Sequence, residues 1–443
     1  MKRNRKVSLI PVVLLLSCII SSSIYASADD TQFLAKPTGT YGIGFQDIHF
    51  QDNNRCPDPD YNLGSAHDFS PENTNHCREI LVRVYYPTNQ PVSLGSAYYA
   101  PQITFFEDFL NFYVSQEAPF LLPLDFHELA ALKSYAHEND RPATVEKFPV
   151  ILFGSGAGSP VQVYENVITN LASHGYVVVA VNSIFSSGYN ALPNGHVVKT
   201  DYTNSEEEIQ QATVARTTDV LYVKNHLDDI DKNLANIMDE TNVGIMGHSQ
   251  GANAIVKIMK SHNEKYFKAA IAMDADAEEI FPSFAKPFLH ELSGQRYWTA
   301  QHTLTPKIAM PKYILNKNNY VVGIVPSLND LIHLPSVTHL YSIHGSFTDW
   351  STLQYTSAFQ AMVPAFDKLN PIMFKSNSPG YEWGTGNGFA VSHTINIYTL
   401  KFFDIYLKRK SDQQFSNCEK LTPNSIISCG PTVFPYNNSN KGQ

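Results

Sequence analysis

The five residues Gly247-His248-Ser249-Gln250-Gly251 constrain this chain more than any other feature. Before them runs Thr241-Asn242-Val243-Gly244-Ile245-Met246, short, apolar and β-branched, as a buried parallel strand is. After them, Ala252-Asn253-Ala254-Ile255-Val256-Lys257-Ile258 places apolar residues at helical spacing. A G-x-S-x-G between a strand and a helix is the sequence of a tight turn that holds a serine hydroxyl up for attack. The turn leaves room only for small residues two before and two after the serine, and Gly247 and Gly251 meet that demand. Five residues with three fixed positions also occur by chance; the strand before and the helix after are what make this one informative.

The rest of the chain alternates to match. Pro149-Val150-Ile151-Leu152-Phe153 reads as a buried strand entering the glycine-rich Gly154-Ser155-Gly156-Ala157-Gly158. A helix follows over Tyr164 to His174, a strand over Tyr176 to Val181 and a long helix over Glu206 to Leu227. Further strands read at Val243 to Met246, Ala269 to Met273, Lys286 to Leu292 and His339 to Ile343, before a closing helix over Val391 to Leu407. Near-continuous apolar strands alternating with helices predict an α/β fold, a mostly parallel doubly wound sheet flanked by helices. Tyr41 to Phe50 and Glu79 to Tyr86 read as strands ahead of it, and Leu81 to Pro87 has the period-two pattern of an antiparallel edge strand. Residues from Ala97 to Glu138 read as helical and aromatic-rich, an insertion over the mouth of the sheet. Phe105, Phe109 and Phe112 share one helical face there, either packed into the core or dipping transiently into a lipid interface.

The N-terminus reads as a secretory signal over 1–28. Lys2, Arg3, Arg5 and Lys6 precede an apolar run from Val7 to Ile20, and Ala26-Ser27-Ala28 offers small residues for cleavage. The run falls short of the roughly 18 apolar residues of a membrane span. Leu15-Leu16-Ser17-Cys18 is a poorer, lipoprotein-like alternative, because the leucine two before Cys18 is bulky for that role. The expected mature chain, 29–443, is one domain with insertions at about 97–140 and 292–334 and a tail at about 410–443. An exported protein, periplasmic or secreted, favours disulfides for its four remaining cysteines. Of three pairings, Cys56–Cys77 and Cys418–Cys429 close the shortest loops. A net charge of −9 without Lys/Arg clusters argues against nucleic acid as a partner.

A serine hydroxyl attacks only when a histidine takes its proton and a carboxylate fixes that histidine. On a sheet of this kind the partners follow in the order Ser, then Asp or Glu, then His, each just after a strand. Asp274 directly follows Ala269 to Met273; Asp276 is its competitor two residues on. Of 16 histidines, His344 follows the last strand, whereas His333 and His339 precede or start it. His248 adjoins the nucleophile and His393 sits in the final helix, so both default to packing or surface roles. Two backbone N–H donors must face the developing oxyanion; Gln250 after the nucleophile and Ala157 in the glycine loop are the candidates. That loop lacks the G-K-[ST] and G-x-G-x-x-G patterns of nucleotide sites.

Together these stretches resemble the platelet-activating factor acetylhydrolase family (plasma and intracellular type II), α/β-hydrolases akin to bacterial polyester hydrolases. The similar segments include Pro37 to Gly44, Val82 to Pro87, Pro149 to Gly158, Asn170 to Val181, the elbow, Ala270 to Ala275, the H-x-x-F-x-D run His344 to Asp349, and Phe402 to Lys408. Two departures stand out: Gly154-Ser155-Gly156 where the family has Ser-His-Gly, and Ala252 where it has a second glycine. The resemblance implies Ser249, His344 and Asp274 as triad and Ala157 and Gln250 as oxyanion donors. It implies a phospholipid substrate with a short or oxidised sn-2 acyl chain, and neither cofactor nor metal. A broad carboxylesterase or polyester hydrolase is the alternative, and a non-catalytic lipid-binding protein a third reading.

Overall fold

A computed structural model describes residues 33–60, 73–96, 132–144, 146–193, 195–199, 205–275, 286–293, 313–315, 321–323, 336–339, 344–357, 387–410 and 425–428. Strands β1 (Gly42–Asp52), β2 (Arg78–Thr88), β3 (Ala136–Glu138), β4 (Phe148–Gly154), β5 (Val177–Asn182), β6 (Tyr189–Ala191) and β7 (Val197–Lys199) come first. They are followed by β8 (Met238–His248), β9 (Ala269–Met273), β10 (Phe288–Ser293), β11 (Tyr313–Leu315), β12 (Val321–Gly323), β13 (Ser336–His339) and β14 (Ser425–Ser428). The described helices are α1 (Glu165–Ser173), α2 (Glu206–Asn225), α3 (Lys232–Ile237), α4 (Gln250–Met259), α5 (Trp350–Leu353) and α6 (Gly388–Tyr406).

One sheet of ten strands runs in the order β14-β13-β10-β9-β8-β4-β5-β2-β1-β3. The stretch from β5 through β4, β8, β9 and β10 to β13 is parallel throughout, with antiparallel β2 and β14 flanking it. The alternation of each strand feeds two cores. Ile151 and Phe153 of β4 face the side that holds Val167, Ile168 and Leu171 of α1 and Tyr398, Phe402 and Phe403 of α6. Val150 and Leu152 face the side of Val220 and Val223 of α2 and Ile255, Val256 and Ile258 of α4. Apolar residues on both faces are what a sheet covered by helices on both sides requires, and the predicted fold class is borne out.

Two sequence expectations are corrected, and a third falls largely outside the described residues. β2 is not an edge strand: it lies between β1 and β5, with all eleven residues buried. Its alternation came from charges that are buried and paired rather than solvated. Arg83 forms a two-pronged pair with Asp47 of β1 at 2.7 Å per prong, and Arg78 reaches Asp219 of α2 at 2.6 Å. The expected helical segment from Ala97 ends in a strand, because Ala136–Glu138 pairs in parallel with β1; residues 97–131, Phe105, Phe109 and Phe112 included, lie outside the described residues. Of the strand read at His339 to Ile343 only His339 is described, as the last residue of Ser336–His339 beside β10; 340–343 lie outside the description. The signal segment, Cys18, His333, Asp276, Cys418 and Cys429 lie outside it too.

Candidate active site

The glycines of the turn have measurable reasons. A Cβ at Gly251 would stand 2.3 Å from the Gly154 carbonyl oxygen and 2.4 Å from that of Ser155; one at Gly247 would stand 2.8 Å from the Gly251 backbone. The elbow is thus pressed against both its own helix and the loop after β4. Ser249 between them has φ 54° and ψ −123°, a left-handed conformation that a non-glycine residue adopts only under constraint. The constraint is visible: the Ser249 N–H donates to the Met273 carbonyl at 2.9 Å, and Asn253 N–H donates back to the Ser249 carbonyl at 3.0 Å.

β8, β9 and the loop before α5 deliver three side chains to one point beyond the carboxyl ends of the parallel strands. Asp274, fully buried and at φ 50°, follows β9 directly and is pinned by its N–H to the Glu291 carbonyl at 2.7 Å. His344 opens a 3-10 turn (His344–Phe347). Its Nδ1–H donates to Asp274 Oδ2 at 2.6 Å, and its Nε2 accepts from the Ser249 hydroxyl at 2.8 Å. With its side chain 35% exposed, His344 is the one of the two that meets solvent. The Nδ1–H bond to Asp274 leaves Nε2 unprotonated and facing the Ser249 hydroxyl.

The remaining candidates distribute as follows. The loop N–H groups of Gly156, Gly158 and Ser159 are taken by the Tyr164 hydroxyl, the Ser186 carbonyl and the Gly156 carbonyl. Ala157 is exposed between them, and none of the described residues accepts from its N–H. Gln250 is the first residue of α4, where an N–H has no intrahelical acceptor. His393 is exposed on α6 and far from this role. His248 is a packing histidine, buried and stacked on Phe347 at 5.7 Å. Its Nε2–H donates to the His344 carbonyl at 3.1 Å, so its Nδ1 accepts from the Tyr164 hydroxyl at 2.9 Å. Burial pushes the Tyr164 hydroxyl up to about 12, against the pull of the Gly156 N–H, and so keeps it a donor.

Sequence reasoning missed Tyr164, Arg216 and the function of Asp349. Asp349 caps α1 from 184 and 183 residues away in the chain: its carboxylate accepts from the Glu165 and Asn166 N–H groups at 2.7 Å each. The only signal was its place in the H-x-x-F-x-D run. Arg216 carries a fainter one, a charge at helical spacing with Ala212, Ala215 and Asp219 on a face that is buried. Among the described residues no cluster of His, Cys, Asp or Glu could hold a metal ion.

The sheet order, the elbow and the strand-end positions define a serine esterase- or lipase-type α/β-hydrolase. Within that class the chain is platelet-activating factor acetylhydrolase-like: the family model "Platelet-activating factor acetylhydrolase, isoform II" matches residues 27–198. A second family model, chlorophyllase, matches residues 140–279, which include the elbow and Asp274. Among solved structures, a ferulic acid esterase from Streptomyces cinnamoneus is similar at 19% identity and a TM-score of 0.61, over 90% of this chain and 99% of that one. At that identity the likeness speaks for the fold.

Proposed function

We propose that the protein is an exported esterase that cleaves the sn-2 ester of phospholipids carrying short or oxidised acyl chains. The observation that supports it is the hydrogen-bonded run from Asp274 through His344 to Ser249 beside the glycine loop. Ser249 Oγ attacks the ester carbonyl as its proton passes to His344 Nε2, and Asp274 stabilises the imidazolium. The carbonyl oxygen becomes an oxyanion held by the Ala157 and Gln250 N–H groups. Collapse expels the lysophospholipid oxygen, which takes the proton from His344 and leaves an acyl group on Ser249. A water then gives its proton to His344 and attacks the acyl carbon, releasing the carboxylic acid and restoring the Ser249 hydroxyl.

One feature bears on export. Cys56 and Cys77 are joined in a disulfide, a bond that persists in oxidising compartments. No described helix is long and apolar enough to cross a membrane.

The match to the chlorophyllase model across the elbow favours one other reading, a broad carboxylesterase or polyester hydrolase. Acetate release from a 2-acetyl phospholipid, compared with turnover of p-nitrophenyl acetate, separates the two. A kcat/KM for the phospholipid well above that for the soluble ester is expected. The reverse order would make the protein a general esterase.

A further inference from the structure

Arg216 lies in the middle of α2, is 2% exposed, and donates to both segments proposed to stabilise the oxyanion and to a third at Ser186. One guanidinium nitrogen, Nη1, donates to the Ser155 carbonyl at 2.6 Å and reaches the Ser155 hydroxyl at 3.4 Å. The other, Nη2, donates to the carbonyls of Gly156 at 3.0 Å and Ser186 at 2.6 Å. Nε donates to the Gln250 side-chain oxygen at 3.1 Å, while the amide nitrogen of Gln250 donates to the Ile209 carbonyl at 3.1 Å. The elbow residue Gln250 thus turns its side chain to α2, which leaves its backbone N–H free of competition from its own amide.

In a trans peptide the C=O and the following N–H point in opposite directions. Gly156 C=O and Ala157 N–H belong to one such plane, so holding the carbonyl on Arg216 turns the Ala157 N–H away from it. The neighbouring plane is fixed at both ends, with the Ser155 carbonyl on Arg216 and the Gly156 N–H on the Tyr164 hydroxyl at 2.9 Å. The loop stands in contact with the nucleophile, because a Cβ at Gly156 would come within 3.2 Å of Ser249 Cβ. We propose that Arg216 is the positioning residue of the oxyanion hole, one guanidinium that orients the Ala157 peptide and the Gln250 side chain together. The inference rests on the acyl-transfer reading above and deepens it. A preset hole needs no reorganisation as charge develops, which is where such donors exert their effect. Lysine cannot replace it, since a single ammonium cannot reach acceptors spread over three segments in a planar fork.

The test uses the full chain, p-nitrophenyl acetate as substrate and a trifluoromethyl ketone as mimic of the tetrahedral species. Arg216→Lys is expected to lower kcat about 10²-fold with KM within about twofold, the size of losing one oxyanion donor. Affinity for the ketone should fall by the same factor as kcat/KM, and guanidinium ion added to Arg216→Ala should restore part of kcat. A lowered Tm with kcat, KM and ketone affinity unchanged would make Arg216 a structural residue only and overturn the proposal. Should the Arg216 variants fail to fold, Gln250→Leu keeps the backbone N–H but removes the amide that Arg216 grips. It is expected to lower kcat several-fold, and an unchanged kcat there contradicts the proposal. Ser249→Ala run alongside separates the two levels: if it stays active, the acyl-transfer reading falls; if it is dead while Arg216→Lys matches wild type, only the positioning role falls.

Discussion

Ser249 and Asp274 share a backbone state that side chains resist, φ 54° and φ 50°, each just past a strand end. Such a residue costs on the order of 1–3 kcal/mol, tolerated where the surroundings enforce it. Ser249→Gly should therefore raise the melting temperature, or at least not lower it, while abolishing turnover; a clear drop in Tm would mean that the serine side chain itself holds the turn. Under the proposed mechanism Ser249→Ala and His344→Ala should each lower kcat by about 10⁴-fold or more, read as steady-state turnover of folded protein. Asp274→Asn should be severe and Asp276→Asn mild, because Asp274 is the carboxylate at 2.6 Å from His344 Nδ1. The opposite ranking would move the orienting role to Asp276. The positions of Ser249 and Asp274 were legible in sequence because each directly follows an apolar strand, β8 or β9, whereas His344 was picked from a strand read at His339 to Ile343 of which only His339 falls in the described β13. The elbow glycines were legible for the same reason.

At the scale of elements, the H-x-x-F-x-D run works as a unit. His344 reaches the serine, Phe347 stacks on His248, and Asp349 caps α1 while its N–H donates to the Val163 carbonyl at 2.6 Å. The turn that carries the histidine is therefore fastened to the helix that follows the glycine loop. Asp349→Ala leaves two N–H groups at the start of α1 without their carboxylate and should cost about 2 kcal/mol in chemical denaturation, with kcat reduced as His344 loosens. Retained stability would show that the cap is dispensable. These couplings were not legible, and the reason is physical. Tyr164 meets Gly156 and His248, and Arg216 meets Ser155 and Gln250, across turns and sheet crossovers that no local period encodes. A buried, paired charge looks in sequence like a solvated one, which is also why β2 read as an edge. For the expected aromatic face at 105–112, Phe109→Ser discriminates. Loss of vesicle binding with Tm and soluble-ester turnover kept means an interfacial face, whereas a fall of Tm with both activities means core.

Across the whole molecule, an ion network joins the N-terminal hairpin to the site. Cys56 and Cys77 close the segment between β1 and β2, and the adjacent Arg55 and Arg78 both grip Asp219 of α2, at 2.7 Å and 2.6 Å. Burial works against the Asp219 charge, but the two arginines outweigh it and hold the carboxyl below its ordinary range. One turn earlier on the same helix, Arg216 grips the glycine loop. Non-reducing peptide mapping should recover Cys56–Cys77, and Cys418–Cys429 with it if the chain is exported; free thiols at all four positions would contradict export. Glu165, buried beside Ser134 and Tyr85, sets a pH dependence. Burial pushes its carboxyl from 4.5 up to about 8. The folded state thus keeps a proton that the unfolded chain gives up, so this contribution is fully present below the unfolded value and is lost as pH rises to about 8. Glu165→Gln should flatten the decline of Tm across that window, and an equally steep decline would place the titrating group elsewhere. Whether Ser249 is the nucleophile of an esterase is read by peptide mapping after fluorophosphonate labelling. The expected result is a phosphonyl group on Ser249 of the native protein, with ester turnover lost in proportion to labelling. A protein that stays unlabelled at Ser249 yet hydrolyses esters would contradict it.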